Sequence, residues 1–101
     1  MKINIHRNPA LKKQTLEDFA DKHNLEMDVF ERKANNLPKF YAHFRHVETR
    51  EKGFSVGVGA YGDGETPKQA IKNYAKRISG HVLIVNAFSN KRQEIQAPKF
   101  I

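Results

Sequence analysis

The run Gly62-Asp63-Gly64-Glu65-Thr66-Pro67-Lys68-Gln69 constrains this chain more than any other segment, because it fixes where a helix must begin. Thr66 fits the N-cap, where a side-chain oxygen accepts from a free backbone N–H. Pro67 fits the first helical position, where its missing N–H costs nothing, and Gln69 completes a capping box. Ala70, Ile71, Tyr74, Ala75 and Ile78 then recur at helical spacing as a buried face, and Gly80 after Ser79 stops the helix. The Gly62-Asp63-Gly64 segment ahead of it reads as a glycine-rich turn.

A second helix is expected earlier. Thr15 can cap it, Glu17 and Asp18 suit the positive end of its dipole, Leu16, Phe19, Ala20 and His23 share one face, and Asn24 tolerates the left-handed conformation that closes helices. Between the two helices the periodicity changes to two. Leu25, Met27 and Val29 alternate with polar neighbours over about residues 25–32, and residues 33–38 form a turn. Phe40, Ala42, Phe44 and His46 then lie on one face of a second strand, with Tyr41, His43, Arg45 and Val47 on the other. Residues 48–53 are expected to close a hairpin into a third strand over 54–61. There Phe54, Val56, Val58 and Ala60 form an apolar face, while Ser55, Gly57 and Gly59 leave the other face bare for a helix or neighbouring backbone to pack against. Residues 81–87 predict a short apolar strand bounded by Ser89-Asn90-Lys91-Arg92, followed by a tail containing Ile95, Pro98 and Phe100. The alternation of Lys2-Ile3-Asn4-Ile5-His6-Arg7 predicts a short strand that can pair with it.

This order, α-β-β-β-α over residues 15–80 plus an added strand and tail over 81–101, predicts an α+β fold: an antiparallel sheet with helices on one face. A chain of 101 residues fits a single domain over 1–101. No apolar run approaches the roughly 20 residues that span a bilayer, the first residues lack the apolar centre of a signal peptide, and a cytoplasmic location is expected. With no cysteines, disulfides and thiolate metal sites are excluded. Eighteen Lys and Arg against eleven Asp and Glu give a formal net charge of +7, which favours polyanionic partners and salt-sensitive association.

The element order resembles the double-stranded RNA-binding domain over about two thirds of the chain. Leu16-Glu17-Asp18-Phe19 sits where that family opens its first helix, and Pro38-Lys39-Phe40 where its second strand begins. Gly62-Asp63-Gly64-Glu65-Thr66-Pro67-Lys68-Gln69-Ala70 is similar to its G-x-G-x-S-K-K-x-A. The resemblance implies that cations at the start of the second helix grip phosphates across a groove, with the first helix and a loop touching minor grooves. Thr66 matches the family Ser and Lys68 its second Lys. Pro67 replaces the first Lys, Ile71 stands at the third, and Lys72 comes one position late, a rotation of about 100°. The loop over residues 34–39 lacks the family's Gly-Pro-x-His, and Asp18 stands where a Glu meets ribose. The segments 54–58 and 62–71 also resemble HicB-type antitoxins, which bind a small toxin. Residues 81–101 are too short for a helix-turn-helix, and small prophage-encoded proteins share this general look.

The residues that could carry chemistry are few. His43 and His46, three apart in a strand, point to opposite faces, and His6, His23 and His81 have no ligand-like spacing, so no metal or other cofactor is expected. No acid pair sits in a hydrophobic frame, and the glycine pair lacks the G-K-[ST] ending of a phosphate loop, so no enzyme activity is expected either. What remains is a basic helix face. Lys68, Lys72, Lys76 and Arg77 lie opposite the buried residues, with Thr66 at the helix start, and form the expected nucleic-acid contact. Lys12, Lys13 and the Lys91-Arg92 turn are the reserve positions, and Tyr41 and Phe30 are aromatics that can either stack bases or pack. The functional expectation is a non-catalytic binder of nucleic acid, duplex RNA or DNA. The alternative is a protein-interaction module, antitoxin-like or host-factor-binding and viral, whose basic helix is merely solvated.

Overall fold

The computed structural model describes residues 2, 14–33, 35–51 and 57–100. The expected N-terminal strand beyond Lys2 and the opening of the expected third strand, residues 54–56, lie outside the described residues. The fold is α+β, with eight elements: α1 (Leu16–His23), β1 (Met27–Glu31), β2 (Phe40–Phe44), β3 (Val47–Arg50), β4 (Gly62–Gly64), α2 (Pro67–Ile78), β5 (Val82–Val85) and β6 (Gln93–Gln96). No described helix is long and apolar enough to cross a membrane.

Both helices begin and end for reasons visible in their residues. The Thr15 hydroxyl accepts from the Asp18 amide at 3.1 Å, and Asn24 closes α1 in the left-handed region (φ 53°, ψ 45°), its amide donating to the Ala20 and Asp21 carbonyls. In α2 the Thr66 hydroxyl accepts from the Gln69 amide at 3.1 Å, and the Gln69 side-chain oxygen accepts from the Glu65 amide at 2.6 Å.

The strands depart from the one-sheet expectation. They form two three-stranded antiparallel sheets, β1-β2-β4 and β3-β5-β6. The strand expected to run through residues 40–47 breaks at Arg45 and His46. His46 takes a positive φ of 59°, its carbonyl accepts from the Asn86 amide at 2.9 Å, and the Arg45 amide is held by the Glu26 carbonyl at 2.8 Å. Beyond that corner β3 pairs with β5, Val47 opposite Val85 and Arg50 opposite Val82. Residues 48–50, expected in a hairpin loop, are therefore strand. The return is still there, since Thr49 and Val58 exchange both backbone hydrogen bonds at 2.8 and 2.9 Å. Gly62-Asp63-Gly64, expected as a turn, is an edge strand paired with β2, and part of the expected tail is β6, paired with β5. The strand expected over 81–87 is β5; among the described residues its partners are β3 and β6.

The close approach expected at Gly57 and Gly59 occurs at Gly57, through side chains, and not at Gly59. A side chain at Gly57 would meet the Ile84 and Glu48 side chains, and Gly59 faces open space. It is β4 that touches a helix backbone. A Cβ at Gly62 would fall on the Tyr74 amide and the Ala70 carbonyl, and one at Gly64 would lie 2.8 Å from the Gln69 carbonyl carbon. Glycine at these two positions lets α2 lie directly on the sheet, where Asn73 Nδ2 also donates to the Asp63 carbonyl at 2.6 Å.

One core joins both sheets and both helices. Leu16 and Phe19 of α1, Phe44 of β2, Val47 of β3, Tyr74 and Ile78 of α2, Leu83 of β5 and Ala97 form a single buried cluster. Its rings interlock edge to face, Phe44 with Tyr74 at 5.4 Å and Phe19 with Phe100 at 5.3 Å. Burial pushes the Tyr74 phenol up to about 12, with a smaller opposing effect from the Phe44 backbone.

Candidate nucleic-acid interface

α2 rests its Ala70, Tyr74, Ala75 and Ile78 face on the core, so residues 68, 72 and 76 are turned to solvent by the helical period alone. Lys68, Lys72 and Lys76 are all exposed, and positions four apart rise about 6 Å along a helix, so the ammonium stems form a continuous row. On one side the row borders an open polar groove of about 360 Å³ shared with Thr66, Gln69 and Asn73. On the other it borders an apolar groove of about 490 Å³ floored by Leu16, Ile71, Ala75 and Phe100, with Glu17 at its edge. Among the described residues none of the three lysines is in an ion pair.

Thr66 stands at the head of this row with its oxygen occupied by the cap. A hydroxyl that accepts one hydrogen bond still has its O–H to donate, so capping leaves Thr66 able to meet an anion. No acidic residue occupies the first turn of α2, where the dipole favours negative charge.

Arg77 does not belong to the row. Its Nε and Nη2 donate to Glu51 Oε1 at 3.1 and 2.9 Å, its Nη1 donates to the Tyr61 carbonyl at 3.3 Å, and its guanidinium lies 5.7 Å from the Tyr61 ring. Arg77 is exposed, as expected, but it stands off the lysine row and is engaged by Glu51. One step beyond Lys76 turns it by about 100° toward the sheet edge, where a carboxylate waits.

The reserve positions are spread out. Lys91 and Arg92 sit in the β5–β6 turn, Arg92 pairing with Glu94 at 3.2 Å, while Lys12 and Lys13 lie outside the described residues. Among the described residues no group of three His, Asp or Glu side chains is placed to hold a metal. His23 packs on Phe19 with ring centroids 4.6 Å apart, and burial, with the charge of Lys22, lowers its pKa. His43 Nδ1 lies 3.0 Å from the Phe44 carbonyl.

The outward face of the first sheet carries a feature the sequence left undecided between stacking and packing. Phe30, Tyr41 and His43 form a stack, Phe30 lying 5.1 Å from Tyr41 and 5.5 Å from His43, and Tyr61 meets Tyr41 edge-on at 5.8 Å. Arg32, which sequence reasoning missed, lies over both tyrosines, 4.6 Å from the Tyr41 ring and 5.6 Å from that of Tyr61. Its Nη1 donates to the Pro38 carbonyl at 2.9 Å and pairs with Asp63 at 2.5 Å. Phe88, in the β5–β6 turn, is 97% exposed and was also missed; the signal was a large apolar residue beside the polar Ser89-Asn90-Lys91-Arg92 turn. No protein-family model, curated protein or solved structure matches this chain, so its functional reading rests on these surfaces.

Proposed function

We propose that the protein is a non-catalytic nucleic-acid-binding protein that holds the phosphate backbone with Lys68, Lys72 and Lys76, a duplex being its foremost partner. The observation that carries this reading is the row itself: three exposed lysines on one helix with no carboxylate partner among the described residues. Cations that a fold leaves uncompensated attract a polyanion and release its counterions on contact. The open first turn with Thr66, and the net charge of +7, act in the same sense. Arg77 serves the fold in this reading, not the partner.

The non-catalytic part rests on how the perturbed carboxylates are used. Hydrogen bonds from Arg45 hold Asp28 below the usual carboxylate range, and hydrogen bonds from Arg50 do the same for Glu94. Both are closed ion pairs, Asp28 of β1 with the corner after β2 and Glu94 of β6 with β3 across β5.

The test is titration of labelled duplex and single-stranded RNA and DNA at two salt concentrations, with the parent and a Lys68→Gln/Lys72→Gln/Lys76→Gln variant. Loss of duplex affinity whatever the base sequence, with the salt slope reduced by about one per lysine removed, is expected. A triple variant that folds and binds as the parent does would show the row to be solvation only. The apolar groove beside the row favours a second reading, a protein partner presenting an acidic, amphipathic segment; it takes over if no nucleic acid binds even at low salt.

A further inference from the structure

The register of the first sheet places Phe30 opposite Tyr41, and Tyr41 opposite Asp63, with Ala42 and Phe44 buried on the other side. Side chains alternate across a strand, so Phe30, Tyr41 and His43 are gathered on the face turned away from α2. Phe30 and Tyr61 each remain 41% exposed. A contiguous exposed aromatic patch rimmed by polar groups marks an interaction surface.

The ring surface does not end at the sheet. Past His43 the strand opens into a groove of about 420 Å³ that runs by Val47 and Ala87 to Phe88. Phe88, 97% exposed, is the most exposed of the large apolar residues described. The path from Tyr61 through Tyr41, Phe30 and His43 to Phe88 therefore carries rings at both ends, with Val47, Glu48, Asn86 and Ala87 along the groove between them.

We propose that this path is a stacking track for the bases of single-stranded nucleic acid. The proposal rests on the nucleic-acid reading above and adds a second surface to it. Planar rings favour a partner with planar faces, and base faces are open only where the strand is unpaired. Of the cations along the track, Arg32, Arg77 and Arg92 each hold a carboxylate, so the charge offered to a phosphate is that of Lys91, in the turn of Phe88. Lys91 is in no ion pair among the described residues. Arg32 is held over its rings by Asp63 and Pro38, so the guanidinium plane is fixed before any base arrives. Because α2 covers the opposite face of this sheet through Gly62 and Gly64, the track and the lysine row are separate surfaces.

The chain has no tryptophan and three tyrosines, two of which, Tyr41 and Tyr61, lie on the track while Tyr74 is buried. Intrinsic tyrosine fluorescence therefore reads the track directly. Titration of the whole protein with an oligothymidylate of about a dozen nucleotides should quench that emission, a length within the site sizes of single-strand binders. Phe88→Ala and Tyr61→Ala should each weaken single-strand affinity by about 5- to 100-fold, the range expected for one lost stacking contact. The triple lysine variant should keep the single-strand titration and lose the duplex one. Phe88 is so exposed that its variant keeps the fold, and it decides the matter if Tyr61→Ala does not fold. Unchanged single-strand affinity in Phe88→Ala, or duplex binding without any single-strand binding, overturns the track and leaves the lysine reading standing. Single-strand binding that survives while duplex binding is absent from the parent does the reverse. Absence of both overturns both and points to a protein as the occupant.

Discussion

On α2, Lys68, Lys72 and Lys76 face solvent unpaired, whereas Arg32, Arg45, Arg50, Arg77 and Arg92, the described arginines, each hold a carboxylate. Of the lysines only Lys39, facing Glu31 at 3.5 Å, is in an ion pair among the described residues. The division follows the chemistry of the two groups. A guanidinium offers a rigid fork that meets a carboxylate at two points, as Arg45 meets Asp28 at 3.0 and 2.9 Å, and it can lie flat on a ring. An ammonium on a flexible stem is strongly hydrated and gains little from a surface partner. The fold thus uses its arginines to tie strand to strand and helix to sheet, and leaves its lysines for whatever comes from outside.

The largest effect is expected where both regions share a support. Gly62→Ala pushes a methyl group into the backbone of α2, displacing the lysine row and the sheet together, and should cost about 3 kcal/mol in urea unfolding. A melting curve within error of the parent would mean that α2 does not rest on β4.

Next comes the one tyrosine the core encloses. Unfolded, Tyr74 releases its proton near pH 10; folded, it holds it to about pH 12. Across that interval the unfolded chain binds fewer protons, so stability is complete below pH 10 and falls as pH rises, by on the order of 2 kcal/mol. Thermal melts of the parent should show the decline and those of Tyr74→Phe a shallower one. Equal slopes would place the phenol in contact with water.

A smaller change is expected for Arg32→Gln. The side chain is 15% exposed and loses its bonds to Pro38 and Asp63 and its seat over Tyr41, which should cost about 1 kcal/mol. The triple lysine-to-glutamine change should move stability least, within about 0.5 kcal/mol. If it destabilises more than Arg32→Gln does, the lysines are part of the fold and the contrast fails.

Much of this was legible along the chain, for reasons local to each element. Thr15 and Asn24 delimit α1, and Thr66, Pro67 and Gln69 start α2, because capping uses residues within one turn of each other. The corner at Arg45 and His46 was not legible. Alternation runs through it unbroken, and a positive φ at a histidine has no signature in residue type. β4 was read as a turn because glycine carries no side chain to show a period, and its close contact with α2 exists only after folding. β6 has a single apolar residue, Ile95, and becomes a strand by pairing with β5. Of the site, the lysine row could be read from spacing four. The step of about 100° that takes Arg77 off the row could be read as well, but not the ion pair that engages it, since its partner Glu51 is 26 positions away. The aromatic face depends on which strands neighbour one another, as does the exposure of Phe88.

The pairing of β3 with β5 decides which partly folded states are exposed to self-association. β1 and β2 are consecutive, and with β4 and α2 they need only the chain through Ile78. β3 has left the first sheet by then, and its partners are residues 82–85, which in turn take residues 93–96 on their other side. Until residues 82–96 dock, β3 shows an unpaired edge. Open edges are templates for pairing between chains. Association between copies therefore competes with folding in any state where β5 and β6 are detached from β3.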